Sequence, residues 1–278
     1  MLRTWFITGA SRGLGVQIAR AALRAGDFVV ATGRRKAKVM ESLGPDTKSL
    51  LSLDLDVTDA TQANTAVDAA VSRFGGIDVL VNNAGYGHLG FFEENNLEDA
   101  QAQFAANVFG VMNVTWATLP VMRAARKGRI FNLSSLAGVR GSSFASLYCA
   151  SKFALEGFSE ALAHEIGPLG LFLTIVEPGP FRTDFLSAES LRMGDHVVAD
   201  YDPRRPRILG SYEKRNGRQP GDPVKLAEAV VRLASEEKPP LRFAAGVMAA
   251  DSVVAKLDEM RAELDRWREL SVSLDYDA

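Results

Sequence analysis

The chain has 278 residues, 47% of them hydrophobic and 24% charged, which is enough apolar material for a sizeable core. Its formal net charge of −2 gives no long-range attraction to nucleic acid or to anionic lipid. One cysteine, Cys149, excludes an intrachain disulfide and fits a reducing compartment. No leader and no window of roughly 20 apolar residues is visible, so we expect a soluble, cytoplasmic protein.

Apolar β-rich runs alternate with helical patterns, as is typical of a parallel sheet with crossover helices. The predicted strands are 5–8, 28–32, 50–55, 79–81, 129–133, 172–177 and 241–244. No repeat or change of composition divides residues 1–278, so we expect one α/β domain. Its sheet should be doubly wound, parallel and seven-stranded, with helices on both faces in three layers.

Two later segments are predicted from composition and spacing. Residues 200–222 are polar and rich in proline and glycine, which predicts a long mobile loop. Residues 253–270 should form a helix whose apolar face docks on the chain's own core, with a subunit contact as the alternative. That face consists of Val253, Leu257, Met260, Leu264 and Trp267.

The first polar motif is Thr8-Gly-Ala-Ser-Arg-Gly-Leu-Gly15, between a short predicted strand and a predicted helix. Glycines allow a sharp turn and close approach to a ligand, and a helix N-terminus favours an anionic pyrophosphate. The spacing differs from the Gly-x-Gly-x-x-Gly fingerprint, so the motif alone is also compatible with an ordinary strand-to-helix turn.

A second motif pairs Tyr148 with Lys152 on one face of a predicted helix. A cation close to a phenol favours the phenolate, so we expect Lys152 to lower the pKa of Tyr148 and to make it a proton donor and acceptor. Polar side chains also follow two predicted strands, at 82–85 and at 134–135. Ligands bind at this carboxyl edge of parallel sheets.

Together and in this order, the motifs resemble the classical short-chain dehydrogenase/reductase family, which has a Rossmann-type fold. The resemblance runs from about Arg3 to Thr183. In that family the catalytic serine lies thirteen residues before the tyrosine, which selects Ser135 over Ser134. The implied catalytic residues are Asn107, Ser135, Tyr148 and Lys152.

The predicted cofactor site follows from the same motifs and from the basic turn after the second strand. Within it, the resemblance assigns the pair at 56–57 to adenine, with Asp54 as a neighbouring alternative, and residues 178–183 to the nicotinamide amide. No metal ligands are predicted. The cofactor-binding residues are Gly9, Ser11, Arg12, Gly13, Leu14, Gly15, Arg34, Asp56, Val57, Asn83, Ala84, Gly85, Tyr148, Lys152, Pro178, Gly179 and Thr183.

The family's chemistry implies reversible hydride transfer between nicotinamide C4 and a ketone or secondary alcohol. Ser135 and Tyr148 would hold the carbonyl oxygen while Tyr148 delivers the proton. Lys152 would hold the nicotinamide ribose. Asn107 would support a water that joins Lys152 to solvent, or would only shape a helix kink.

The second predicted strand ends in Ala31-Thr-Gly-Arg34-Arg-Lys36, without the carboxylate that accepts from the ribose hydroxyls in NAD sites. Arg34 and Arg12 could hold a 2′-phosphate from two sides. We therefore predict NADP(H), with a merely solvated basic turn as the alternative.

Residues from about 184 to 222 are expected to cover the substrate. Phe185, Leu186, Leu191 and Met193 suggest an apolar lid, and the pocket is expected to include Tyr86, His88, Phe144 and Phe181. An apolar ketone or secondary alcohol is therefore favoured. The arginines and lysine between 204 and 215 are interpreted as a solvated loop, with an acidic or acyl-carrier-linked substrate as the alternative.

Two other functions share these features. A non-catalytic NADP(H)-binding redox sensor is compatible with the fold, and a glycine-loop methyltransferase with the first motif. Intact Ser135, Tyr148, Lys152 and Asn107 favour an enzyme over either. The helix that carries Tyr148 is apolar on more than one side, which predicts a homodimer or homotetramer.

Overall fold

The computed structural model describes residues 2–187, 191–194 and 196–276. Its strands are β1 (Thr4–Ile7), β2 (Phe28–Gly33), β3 (Leu50–Asp54), β4 (Val79–Asn82), β5 (Gly87–Leu89), β6 (Gly128–Leu133), β7 (Leu171–Pro178), β8 (Leu191–Met193) and β9 (Arg242–Ala245). Its α-helices are α1 (Gly13–Arg24), α2 (Lys36–Leu43), α3 (Ala60–Phe74), α4 (Leu97–Phe104), α5 (Gly110–Ala125), α6 (Ser146–Ile166), α7 (Arg205–Arg215), α8 (Pro223–Leu233) and α9 (Val247–Val272).

Seven of these strands form one parallel sheet in the order β3-β2-β1-β4-β6-β7-β9. The chain runs outward from β1 to β3, returns to β4 and runs outward again to β9. The order therefore reverses between β1 and β4, which is the point where ligands bind in doubly wound sheets. The predicted fold class is confirmed.

Side chains on the two faces of the sheet enter two separate apolar cores, because successive residues of a strand point to opposite faces. Trp5 and Ile7 of β1 pack on one face, which α1 and α8 cover. Phe6 packs on the other face, against residues of α3, α5 and α6. All three side chains are fully buried. Burial on both faces explains the apolar runs from which the strands were predicted.

The predicted loop at 200–222 is wrong over half its length, because α7 occupies residues 205–215. Pro206 lies in the first turn of α7, where a missing N–H costs no hydrogen bond. Arg205 anchors this turn: its Nη1 donates to Oε2 of the buried Glu94 at 2.7 Å, and its Nη2 bonds the second oxygen. Composition could not reveal this distant ion pair.

A second, two-stranded parallel sheet of β5 and β8 was not predicted. It joins the loop after β4 to the segment expected to cover the substrate. Of that segment, residues 188–190 and 195 lie outside the described residues. The short strands pair Gly87 with Leu191 and Leu89 with Met193, so they fix the described part of the segment beside the end of β4.

The stretch Leu97–Ala125 forms one continuous helical run, through a π-helical turn at Ala105–Phe109. By length and mean hydropathy, 1.2, it is the one run in the described residues that could cross a membrane, which the sequence had not predicted. It carries the buried polar residues Gln103, Asn107 and Thr115, and it packs against α3 and α6. These contacts pack one side of the run against the fold, while Phe109 and Trp116 are exposed.

The apolar face of α9 does not dock on the chain's own core, contrary to our expectation. Leu257, Met260, Leu264 and Trp267 are each more than half exposed. Among the described residues of α9, Ala249 alone is buried. Beyond β9 the helix contacts the turn at Leu136–Gly138, and Arg140 Nη2 pairs with Glu259 Oε1 at 2.6 Å, but the apolar face stays exposed.

Candidate active site

The glycine motif forms a tight turn between β1 and α1. Gly9 has φ of +66°, a conformation that side-chain-bearing residues rarely adopt. A Cβ at Gly15 would lie 2.4 Å from the Gly9 carbonyl oxygen and 2.5 Å from Asn83 Nδ2, so any side chain there would break the turn. Glycine at both positions therefore lets the backbone at the amino end of α1 approach a ligand at the switch point of the sheet.

The segment after β4 holds this turn in place. Asn83 Nδ2 donates to the Thr8 and Gly9 carbonyl oxygens at 3.0 and 3.1 Å. The Thr8 hydroxyl accepts from the backbone N–H groups of Asn83 and Ala84, both at 3.0 Å. The structure thus brings the glycine motif together with the polar residues at 82–85, and it gives Asn83 and Ala84 a role in shaping the glycine turn. Gly85 abuts Asn107, whose Oδ1 would lie 2.9 Å from a Cβ there.

The end of β2 lies beside the same glycine turn. A Cβ at Gly33 would lie 3.7 Å from the Ser11 side chain, and the Ser42 hydroxyl donates to the Ser11 carbonyl at 2.6 Å. Arg34 is exposed immediately after Gly33. Arg12, the residue before α1, precedes the helix on the neighbouring loop, so the two predicted phosphate ligands lie on adjacent loops.

Asp54 and Asp56 differ in what they bind. Asp54 Oδ1 accepts from the Lys36 backbone N–H at 2.5 Å and so caps the start of α2. Asp56 Oδ1 accepts from the Thr58 backbone N–H and hydroxyl at 3.0 and 2.8 Å. Val57 is buried, and its Cγ2 would lie 2.6 Å from a Cβ at Gly110. Asp56 and Val57 thus form a fixed turn after β3.

The segment after β7 closes the site opposite the glycine turn. The Gly179 N–H donates to the Ala245 carbonyl oxygen at 3.0 Å, which extends the pairing of β7 with β9. A Cβ at Gly13 would lie 3.8 Å from Thr183 Cβ, so Thr183 faces the start of α1 across the site. Together with the glycine turn, where a Cβ at Gly9 or Gly15 would clash, these residues fit the close approach of a dinucleotide's pyrophosphate.

The candidate catalytic residues meet where α6 begins. The Ser135 hydroxyl lies beside the Tyr148 hydroxyl and favours its ionised form. Lys152 lies one turn further along α6, with Nζ 5.9 Å from the centre of the Tyr148 ring. Its ammonium is buried and donates to the Leu133 carbonyl oxygen at 2.7 Å. A phenol, a hydroxyl and an ammonium are thus collected at one edge of the sheet.

The pKa values of these groups differ from our expectation. Burial raises the pKa of Tyr148 to about 12, and the Ser135 hydroxyl offsets this only in part. The predicted low pKa of Tyr148 is therefore wrong, because burial outweighs the groups that favour the phenolate. Burial lowers the pKa of Lys152 to about 8, although Glu156 opposes the shift. Removal of water disfavours the charged form of each group.

Asn107 lies in the π-helical turn between α4 and α5, a feature that often marks functional sites. Its Oδ1 accepts from the Tyr86 backbone N–H at 3.1 Å, and its Nδ2 donates to the Tyr86 carbonyl and the Ser151 hydroxyl at 3.0 and 3.1 Å. These contacts join the loop after β4 to α6 beside Lys152. Asn107 therefore holds this loop against α6, and its role in supporting a water stays a prediction.

Apolar side chains surround the Tyr148 ring. Phe185 lies against it, with 5.6 Å between ring centres. Phe144 and Cys149 belong to a buried cluster into which Tyr212 of α7 also packs. Phe181, expected in this pocket, instead packs into the core on the α1 and α8 face of the sheet.

Two groups of side chains at this edge were not predicted from the sequence. Tyr212 escaped notice because α7 was not expected. Glu156 and Glu177 are buried next to the motif residues. The sequence does contain a signal for Glu156. It follows Lys152 by four residues and so continues the face of α6 that carries Tyr148 and Lys152.

Comparison with known proteins places this geometry in a family. The family model described as short chain dehydrogenase matches residues 3–193. The chain is similar to oxidoreductase BOA17 of Botryotinia fuckeliana, with 38% identity over 98% of this chain and 99% of the relative. It belongs to the short-chain dehydrogenase family. A 3-ketodihydrosphingosine reductase from Bacteroides thetaiotaomicron is also 38% identical, over 86% of each chain.

Solved structures agree with this assignment. A short-chain dehydrogenase from Streptomyces avermitilis has a TM-score of 0.90 and 37% identity, covering 99% of this chain and 100% of that one. ElxO with NADP bound has a TM-score of 0.70 and 26% identity, over 86% and 94% of the two chains. The 3-ketoacyl-(acyl-carrier-protein) reductase from Brucella melitensis, complexed with NADH, has a TM-score of 0.71 and 27% identity, covering 84% of this chain and 91% of that one. The protein is thus an oxidoreductase of a family whose members bind NAD or NADP.

Proposed function

We propose that this short-chain dehydrogenase catalyses reversible hydride transfer between NADP(H) and an apolar ketone or secondary alcohol. The observation that carries the proposal is the meeting of Ser135, Tyr148 and Lys152 at the carboxyl edge of the sheet, opposite a glycine turn suited to a pyrophosphate. The bound cofactor would supply the nicotinamide carbon that gives or takes the hydride.

The chain's own residues would bind the carbonyl oxygen of the substrate and supply its proton. In reduction the carbonyl oxygen gathers negative charge, and the Ser135 and Tyr148 hydroxyls would donate hydrogen bonds to it. Tyr148 would then give its proton to that oxygen. Lys152 would hold the nicotinamide ribose and favour the tyrosinate that remains, since its ammonium lies on the same helical face. Asn107 would hold the loop after β4 against α6 through its hydrogen bonds to Tyr86 and Ser151.

NADP(H) specificity is supported by the end of β2. Arg34 is exposed beside the glycine turn, and Arg12 lies on the adjacent loop, so two guanidinium groups could reach one 2′-phosphate. The carboxylate that follows, Asp54, is already bonded to the backbone of α2.

An apolar substrate is supported by what surrounds Tyr148. Leu89, Phe91, Phe144 and Cys149 form the buried cluster there, and Tyr212 packs against it. Phe185 covers the tyrosine ring, so a substrate would have to displace it. An aliphatic or aromatic ketone replaces these contacts at little cost, whereas a charged group would lose its hydration.

Loss of nicotinamide absorbance tests the proposal. We expect NADPH to be oxidised with at least one member of a panel of aliphatic, aromatic, steroidal and acyl-thioester ketones, and more efficiently than NADH. NADPH binding without turnover across the panel would favour a redox sensor. Equal use of NADH would contradict the cofactor assignment.

We also propose that the protein is a cytoplasmic homodimer or homotetramer. The exposed apolar face of α9 supports self-association, as do Phe109 and Trp116 in the Leu97–Ala125 helical run and Phe153 of α6, which are 55%, 66% and 45% exposed. The lone, buried Cys149 suits a reducing compartment.

A further inference from the structure

A row of ionisable side chains follows one face of α6. Tyr148, Lys152, Glu156 and Glu160 are each four residues apart, so they stack along the helix. The row begins at the candidate proton donor and ends at solvent, where the side chain of Glu160 is half exposed. The proposed reaction uses Tyr148 and Lys152 and leaves Glu156 without a role.

Glu156 is buried against a second carboxylate. The side chains of Glu156 and of Glu177, at the end of β7, are only 9% and 1% exposed. Both face one cation, because Arg242 Nε of β9 lies 3.5 Å from Glu156 Oε2 and 3.6 Å from Glu177 Oε1. The closer contact of Arg242 is with Glu160, at 2.7 Å.

These buried carboxylates are poorly satisfied within the described residues. Both oxygens of Glu156, Oε1 of Glu177 and the Ser134 hydroxyl make no well-formed hydrogen bond there, although Ser134 and Arg242 lie close enough to Glu156 to favour its ionised form. A Cβ at Gly138 would lie 2.6 Å from Ser134 Oγ and 3.1 Å from Glu156 Oε1, so the turn after Ser135 crowds the same atoms. Buried polar groups without partners are costly, and natural proteins keep few of them.

The charges around Glu156 come from three elements. On α6 it faces Lys152 and Glu160, from β7 it faces Glu177, and from β9 it faces Arg242. Burial raises the pKa of Glu156 and raises that of Glu177 to about 7, with repulsion from Glu156 adding to the latter. Both carboxyl groups therefore hold their protons more tightly than free carboxyl groups, and Arg242 opposes this by favouring their ionised forms.

We propose that Glu156, with Glu177 as its partner, is a positioning residue that keeps Lys152 in the ammonium form at the active site. The inference rests on the proposed function for its consequence in turnover. The physical reason is that a buried ammonium tends to lose its proton, and a carboxylate on the same helical face opposes that loss. Without it, neutral Lys152 could no longer favour the tyrosinate of Tyr148.

The direct test is a side-chain NMR titration of Lys152 in protein labelled at the lysine Cε, assigned with Lys152→Met. We expect Glu156→Gln to lower the pKa of Lys152 by about one unit, the scale on which a nearby opposite charge acts. Glu156→Asp, which keeps the charge, should restore most of the shift. Glu160→Gln is the matched control, since it removes an exposed carboxylate of the same row and should leave Lys152 unchanged.

Glu177→Gln serves if Glu156→Gln does not fold, and here a rise in the Lys152 pKa is expected, because loss of repulsion from Glu177 lets Glu156 ionise more readily. A Lys152 titration that is unchanged in folded Glu156→Gln, or in folded Glu177→Gln used in its place, would overturn the inference. The titration needs no substrate, so its result does not depend on whether the proposed function is correct. If turnover is found, the alkaline limb of the kcat profile should shift to lower pH together with Lys152. Turnover with an unmoved Lys152 would reject this inference alone.

Discussion

At the scale of single residues, burial moves the pKa values of Tyr148 and Lys152 away from those of the free side chains. Tyr148 is harder to ionise than a free tyrosine and Lys152 is easier to neutralise, because both are removed from water. Sequence could place the two groups on one helical face, but it could not predict these shifts. They depend on the burial of both groups in the fold, where Phe185, distant in the chain, covers the Tyr148 ring.

Arg34 offers a residue-scale prediction about the cofactor. Arg34→Ala should weaken NADPH binding roughly tenfold, the scale of a lost charge-assisted hydrogen bond, and should leave NADH binding nearly unchanged. Arg35→Ala, an exposed neighbour of the same charge, is the control. Isothermal titration with both cofactors measures the difference. Equal losses for NADPH and NADH would show that Arg34 does not contact the 2′-phosphate.

At the scale of elements, the sequence predicted the strands whose positions follow from local hydrophobic patterns. The seven strands of the main sheet were found to within one residue at each end, because buried runs such as Phe28–Gly33 are bounded by turn residues. The helix α7 was missed because its stability comes from Glu94, which lies far away in the chain. The pair β5 and β8 was missed because three-residue strands carry too little pattern.

The Glu94–Arg205 ion pair gives an element-scale prediction. Glu94→Gln should lower the free energy of unfolding by about 1–2 kcal/mol and speed amide exchange in α7, because the partly buried guanidinium loses its charged partner. Arg205 lowers the pKa of Glu94 from 4.5 to about 2. The stabilisation is thus complete above pH 4.5 and is lost as the pH falls toward 2. This acid-dependent loss should be absent in the variant. Unchanged exchange in α7 would show that the pair does not hold the helix.

At the scale of the whole molecule, α9 is the element that one chain does not account for. Its spacing predicted an apolar face correctly, but a sequence cannot say whether such a face meets its own core or another chain. The exposure of Leu257 and Leu264 favours the second. Exposed apolar stripes of this length mark interaction surfaces more often than free helices.

Self-association makes a prediction for solution mass. By light scattering after gel filtration, the wild-type protein should have the mass of a dimer or a tetramer of the 30.1 kDa chain. Leu257→Glu/Leu264→Glu should reduce that multiple, because two charges would enter the apolar contact. Ala262→Glu, on the opposite face of α9, should not. A monomeric wild type would reject the proposed oligomer, and an unchanged mass in the double variant would show that α9 is not its interface.

The central claim, that Tyr148 delivers the proton in a nicotinamide-dependent reduction, is tested most directly by Tyr148→Phe. The substitution removes one hydroxyl and keeps the ring that packs against Phe185. We expect the variant to bind NADPH nearly as well as the wild type and to lose turnover by at least about a hundredfold, the scale of general acid catalysis. Turnover close to that of the wild type would contradict the account.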